Sequence, residues 1–131
     1  MESFHAFRTR ALLLLIMLSI NTAAYAQFPR FKALALYSTQ VETAHVEFAE
    51  DAVKFFKNLT VGDGFVVDFS TSMADLNDEK LKGYSVVIML NDFPHNQAQR
   101  EAFKRYMENG GGWLGFHVSA YNDKDTKWPW L

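Results

Sequence analysis

The stretch Asn109-Gly110-Gly111-Gly112-Trp113-Leu114-Gly115-Phe116-His117-Val118-Ser119 decides how the chain is organised. Asn109-Gly110 suits the left-handed cap that ends a helix. The apolar segment from Trp113 to Val118 predicts a buried strand that carries His117 at its far end. The stretch is therefore a helix-to-strand connection, the unit that recurs where helices alternate with parallel strands.

The same alternation is found upstream of this stretch. Short apolar runs bounded by polar or glycine-containing segments predict three further strands, at Phe31–Ser38, Phe65–Phe69 and Tyr84–Leu90. Apolar residues at spacings of three and four predict helices over Thr43–Leu59 and Gln97–Glu108. The second and fourth strands thus each follow a helix long enough to cross over the sheet.

Parallel strands joined by helices take right-handed crossovers, and we expect the strand order 2-1-3-4. The third strand is apolar without alternation, as expected when both faces of a sheet are covered. Asn96 and Gln99 resemble a capping box at the start of the second helix, and Asp78–Leu81 could form one helical turn. The fold class is therefore α/β, flavodoxin-like, with a parallel sheet of about four strands.

Residues 1–26 have the plan of a secretory signal peptide. Arg8 and Arg10 precede the apolar run Ala11–Ile20, and the segment ends in Ala24-Tyr25-Ala26. A membrane anchor is the alternative, but a spanning helix needs about 20 apolar residues. We therefore expect cleavage before Gln27, export of a domain over residues 27–131, and no membrane association after cleavage.

The composition excludes several kinds of chemistry. The chain has no cysteine, which excludes a lipid-anchored N-terminus, disulfides and a thiol nucleophile. Its net charge of −2 gives no electrostatic reason to expect nucleic acid as a partner.

The C-terminal part of the sequence predicts an incomplete domain. No helix follows the fourth strand, and Trp128-Pro129-Trp130 would leave aromatic surface uncovered. A parallel sheet that stops at this strand has an open edge, which permits pairing into a homo-oligomer. We expect the chain to be an N-terminal portion, truncated relative to a full domain of its type.

The glycines formally match G-x-G-x-x-G from Gly110 to Gly115. A dinucleotide site needs a strand before this motif and a helix after it, whereas here the order is helix, glycines, strand. The motif is therefore interpreted as a helix cap with close backbone packing rather than a nucleotide site.

Three histidines fall where predicted strands end, and ligands bind at that edge of a parallel sheet. His117 at the end of the fourth strand is the favoured functional residue, because histidine moves protons near neutral pH. His45, after the first strand, could be either a functional residue or an ordinary loop histidine. His95, beside Pro94, is interpreted as an ordinary loop histidine. The spacing matches no metal motif, so we expect neither a metal nor another cofactor.

Other side chains near these strand ends are candidate substrate contacts. Asn91 follows the third strand, and Ser119 offers a hydroxyl two residues beyond His117. Trp128 and Trp130 could stack against the apolar face of a sugar ring, or could pack against the missing remainder of the domain.

Taken together, these residues resemble the ThuA-like (trehalose utilisation) family, within the class I glutamine amidotransferase-like superfamily. The segment Tyr106–Ser119 (YMENGGGWLGFHVS), Trp128-Pro129-Trp130 and Leu81–Leu90 followed by Asn91 carry the resemblance, and His45 matches a family histidine. Ser85 departs from the aspartate usual in the family. Family domains also continue beyond the Trp-Pro-Trp region, with another histidine-containing segment.

The resemblance implies a flavodoxin-like three-layer fold and places His117 where true amidotransferases keep a cysteine. It implies a role in the use of trehalose and other glycosides, without glutaminase activity. The resulting hypothesis is an exported enzyme that acts on a small carbohydrate with His117 and His45 as acid and base. The alternatives are a non-catalytic sugar-binding module and an incomplete, inactive fragment.

Overall fold

The computed structural model describes residues 29–60, 64–121 and 128–130. The predicted signal peptide lies outside these ranges. No helix within them is both long and apolar enough to cross a membrane. Strands and helices alternate in the order β1 (Phe31–Leu36), α1 (Thr43–Leu59), β2 (Phe65–Ser70), α2 (Asp78–Leu81), β3 (Val86–Met89), α3 (Gln97–Glu108) and β4 (Gly112–Gly115).

The four strands form one parallel sheet in the order β2-β1-β3-β4. The predicted α/β fold and the predicted strand order are thereby confirmed. β1 and β3 lie in the centre, where Ala33–Leu36 and Val87–Met89 are buried. Their lack of apolar alternation follows from this position, because helices cover both faces of the central strands.

Alternate side chains of the central strands enter two separate cores. Ala33 and Ala35 pack against α1, which contributes a buried stripe of Ala49, Val53 and Phe56. Leu34 and Leu36 point to the other face, and the core there contains Phe103 of α3. The result is a three-layer flavodoxin-like fold, in which burial of each large apolar side chain contributes about 1.5–3 kcal/mol.

Residues at the two ends of α3 explain where this helix begins and where it ends. Asn96 accepts a hydrogen bond from the backbone of Gln99, and the Gln99 side chain accepts one from the Asn96 backbone. This confirms the predicted capping box. At the other end Gly110 has a φ of 89°, and a Cβ on Gly111 would overlap the Tyr106 ring. The glycines therefore serve a turn and a close approach.

The third and fourth strands are shorter than the sequence predicts. β4 stops at Gly115, which pairs with Met89 at the end of β3. Phe116 still donates its backbone N–H to the Met89 carbonyl. His117 then begins a 3₁₀ turn over His117–Ala120 instead of ending the strand. The left-handed φ of His117, 40°, directs the chain away from the strand at this point.

Candidate functional site

Two predicted residues, His45 and His117, meet at the C-terminal edge of the sheet. His45 lies in the first turn of α1, and His117 lies two residues beyond the end of β4. Their ring centroids are 5.3 Å apart, with the ring planes tilted by 55°. The His45 side chain is 28% exposed and His117 is exposed. The fold thus brings together two imidazoles that are far apart in the sequence, within reach of solvent.

His117 has an unusual backbone. Its φ of 40° lies in the left-handed region, and among the described residues it is the one non-glycine residue with positive φ. Such a conformation costs about 1–3 kcal/mol and persists only where the surrounding structure enforces it. The backbone therefore fixes the direction in which this imidazole leaves the end of β4.

Ser119 supplies much of that enforcement. Its side chain is fully buried, and its hydroxyl donates a hydrogen bond to the Met89 carbonyl oxygen over 2.9 Å. Its backbone N–H bonds to the Phe116 carbonyl. The first bond anchors the turn that contains His117 to the end of β3, and the second closes the turn itself. Direct contact of Ser119 with a substrate stays a prediction, and the geometry gives the hydroxyl a structural use.

Asn91 holds His45 in place. It is 2% exposed, and its amide oxygen accepts from the Ser38 backbone N–H over 2.8 Å. Its amide nitrogen donates to the carbonyl oxygens of Ser38 and His45 over 2.9 and 3.0 Å. Asn91 thus joins the segment after β1 to the first turn of α1. Substrate contact by Asn91 also stays a prediction, because these bonds occupy its polar atoms.

A second histidine group was missed by the sequence reasoning. His95 Nε2 lies 2.9 Å from Asp92 Oδ2, and the Asp92 side chain is only 8% exposed. The other carboxylate oxygen accepts from the Phe93 backbone N–H over 2.9 Å. The sequence signal was available, as an aspartate shortly after a buried strand and three residues before a histidine.

The two tryptophans lie apart from the histidine pair. Trp128 is buried in the core on the α3 face of the sheet, 6.0 Å from the Phe103 ring. Trp130 stacks on Trp128 at 5.9 Å and is 38% exposed. His45, in contrast, belongs to α1 on the opposite face. Trp128 thus packs within the described residues, against Phe103, rather than against a missing part of the domain. Trp130 keeps an exposed ring.

The described residues do not include a cluster of three or more His, Asp or Glu side chains arranged to hold a metal ion. His45 and His117 form a pair, and His95 is bonded to Asp92. Imidazole and carboxylate groups in these positions can transfer protons and form hydrogen bonds.

A cavity of about 410 Å³ lies at the opposite edge of the sheet, beside the glycines that precede β4. Arg105 there contacts both carboxylate oxygens of Asp78, at 3.0 and 2.7 Å, which lowers the pKa of that carboxyl. Ligands of parallel sheets bind at the C-terminal edge, and these two charges are already paired. The C-terminal edge of the sheet, where His45 and His117 meet, is therefore the better candidate site.

Comparison with known proteins agrees with this fold. A family profile described as "ThuA: Trehalose utilisation" matches residues 33–131. A crystal structure of a ThuA-like protein from Bacteroides uniformis has a TM-score of 0.76 and 59% sequence identity, covering 81% of this chain and 43% of that one. The chain thus spans less than half the length of that relative. No curated protein matches the sequence.

Proposed function

The chain belongs to the ThuA family, described as trehalose utilisation, and on that premise we propose that it acts in the use of glycosides. The proposed substrates are trehalose-like disaccharides or their oxidised derivatives. His117 acts as the general acid or base, with His45 as its partner. The chain has no cysteine, so the proposed chemistry does not include the thioester step of glutamine hydrolysis.

The observation that carries this proposal is the pair of imidazoles 5.3 Å apart at the C-terminal edge. Imidazole changes its charge near neutral pH, so one ring can hold a proton while the other accepts one. In hydrolysis of a glycosidic bond, the protonated ring would give its proton to the leaving oxygen. The neutral ring would take a proton from the attacking water, so that water is added across the bond and the pair regains its starting charge.

The contacts that hold His117 and His45 in place also support an acid/base role for the two residues. His117 is held in a strained backbone conformation by the buried Ser119, and His45 is held by the buried Asn91. Strain of this kind concentrates at functional sites. Fixed catalytic groups also lower the cost of reaching the reactive geometry.

A turnover assay tests the proposal. The full chain is incubated with trehalose and with oxidised disaccharides, and the products are followed by chromatography. We expect turnover by the wild type and a loss of about 10²–10⁴-fold in His117→Ala, with the far-UV circular dichroism unchanged. Lys54→Ala serves as the matched control, since Lys54 is an exposed residue of α1 whose partner is Asp51. Activity that survives in His117→Ala removes that residue from the mechanism.

Trp130 favours a second candidate function, a non-catalytic sugar-binding module. Its ring is 38% exposed and stacks on Trp128 with the ring planes 27° apart, and exposed aromatic rings bind the apolar faces of sugars. Under this alternative, calorimetry detects trehalose binding that Trp130→Ala weakens, and no product forms. Turnover by the wild type would contradict it.

Export is part of the proposal and is supported by the sequence pattern of residues 1–26. Expression in a bacterial host with a Sec pathway tests it. We expect the recovered protein to lie outside the cytoplasm and to begin at Gln27 by intact-mass measurement. Recovery of uncleaved chain from the cytoplasm would contradict export.

A further inference from the structure

A separate polar cavity of about 380 Å³ opens at the C-terminal edge of the sheet. Ser38 follows β1, Thr71 follows β2 and Asp92 follows β3, so three adjacent strands contribute to it. We call it the His95 cavity; it is lined by Ser38, Thr39, Gln40, Val41, Thr71, Met73, Asp92 and His95. Ligand pockets usually have about 300–1,000 Å³, so this one suits a single small ring.

The lining is rich in neutral groups that form hydrogen bonds. Ser38, Thr39 and Thr71 contribute hydroxyls, and Gln40 contributes an amide. The Ser38 hydroxyl oxygen accepts from the Gln40 backbone N–H, which leaves its proton free to be donated. Among the described residues, no lysine or arginine lines the cavity. This chemistry matches a neutral polyhydroxyl compound better than a phosphate or a carboxylate.

His95 is held in one orientation at this cavity. Its Nε2 contacts the buried Asp92 carboxylate, and its ring stacks on Phe93 with centroids 5.6 Å apart and planes 12° apart. A carboxylate that accepts from Nε2–H leaves the lone pair of the neutral ring on Nδ1. His95 therefore offers a hydrogen-bond acceptor on a side chain that is 56% exposed.

The His95 cavity and the histidine pair share one scaffold. Asn91 bonds through its side chain to Ser38, which lines the cavity, and to His45, which belongs to the pair. We propose that the His95 cavity is a subsite that binds one sugar ring, with His95 Nδ1 accepting a hydrogen bond from a sugar hydroxyl. Asp92 is the positioning residue. This inference rests on the proposed function, because it takes a glycoside as the ligand.

Binding and turnover measured together test the subsite. Calorimetry with trehalose and with glucose is performed on the full chain and on His95→Phe, which keeps the ring that stacks on Phe93 but removes its nitrogens. We expect about tenfold weaker binding, the effect of one lost hydrogen bond to a fixed group. KM should rise by a similar factor while kcat changes little. Gln97→Ala, an exposed neighbour at the start of α3, is the control.

The orientation of His95 has its own readout. Nitrogen-15 NMR in mildly alkaline solution should show the His95 proton on Nε2 in the wild type, and Asp92→Asn should change the tautomer ratio. A proton on Nδ1 in the wild type would overturn the assigned acceptor. This measurement needs no sugar and is independent of the proposed function.

The two proposals fail in distinguishable ways. Unchanged sugar affinity in His95→Phe overturns the subsite and leaves the proposed function intact. Wild-type protein that neither binds nor converts any of these sugars overturns both. Loss of kcat without a change of KM in His95→Phe would assign His95 to the chemical step, which also contradicts a binding role.

Discussion

Replacing Asn91 by alanine should destabilise the fold more than the small size of the removed amide group suggests. The substitution removes three hydrogen bonds, between the Asn91 amide and the Ser38 N–H, the Ser38 carbonyl and the His45 carbonyl. A buried polar group that loses its partner costs about 1–3 kcal/mol. Ser38 and His45 are half-buried, so water replaces part of what is lost. We therefore expect a decrease in unfolding free energy of about 2–4 kcal/mol.

Urea denaturation followed by tryptophan fluorescence measures this decrease. At an m-value of about 2 kcal/mol/M, the middle of the range for small proteins in urea, the midpoint should fall by about 1–2 M. Asn58→Ala is the matched control, because Asn58 is an exposed residue in the last turn of α1. Its effect should stay within about 0.5 kcal/mol.

The outcome decides whether Asn91 organises the site. An Asn91→Ala midpoint within the error of the control would contradict a stabilising role of Asn91, since it would mean that water satisfies all three backbone groups. A large loss of stability would show that the sheet edge and the first turn of α1 depend on this side chain. His45 would then owe its position to a residue outside the histidine pair.

Three further predictions concern backbone and tyrosine chemistry. Gly111→Ala should lower the unfolding free energy by about 1–3 kcal/mol, because the new Cβ would overlap the Tyr106 ring. Urea denaturation measures this loss, and an unchanged midpoint would contradict the overlap. His117→Gly should be more stable than His117→Ala by about 1 kcal/mol, because only glycine adopts a φ of 40° without strain; equal midpoints contradict it. Burial and a hydrogen bond to Asp68 raise the pKa of Tyr84 to about 12. Its neutral form therefore stabilises the fold below about pH 10, and this contribution disappears as pH rises from there towards 12. Tyr84→Phe should flatten that loss in alkaline denaturation, and an identical profile contradicts the assignment.

The fold could be predicted because local and global signals agree. Unbroken apolar runs such as Tyr84–Leu90 require cover on both faces, and the helices between them require parallel crossovers. The Asn96 capping box is likewise a local pattern, and it is present. These features depend on neighbouring residues in the sequence, which is why sequence reasoning found them.

The site was harder to predict because its geometry depends on distant partners. The left-handed backbone of His117 turns the chain away from the sheet, and the apolar run up to Val118 gave no sign of it. His45 and His117 come together because the strands that precede them end at the same edge of the sheet, but their catalytic roles remain predictions. His95 was undervalued, because its bond to Asp92 depends on how one loop turns.

The role of His117 is tested by the rate of sugar turnover, measured for the wild type and for His117→Ala under identical conditions. We expect measurable turnover of trehalose or an oxidised disaccharide by the wild type. The variant should lose at least about 100-fold of this rate, with unchanged circular dichroism. Equal rates for the two proteins would contradict the assignment of His117 as the acid or base.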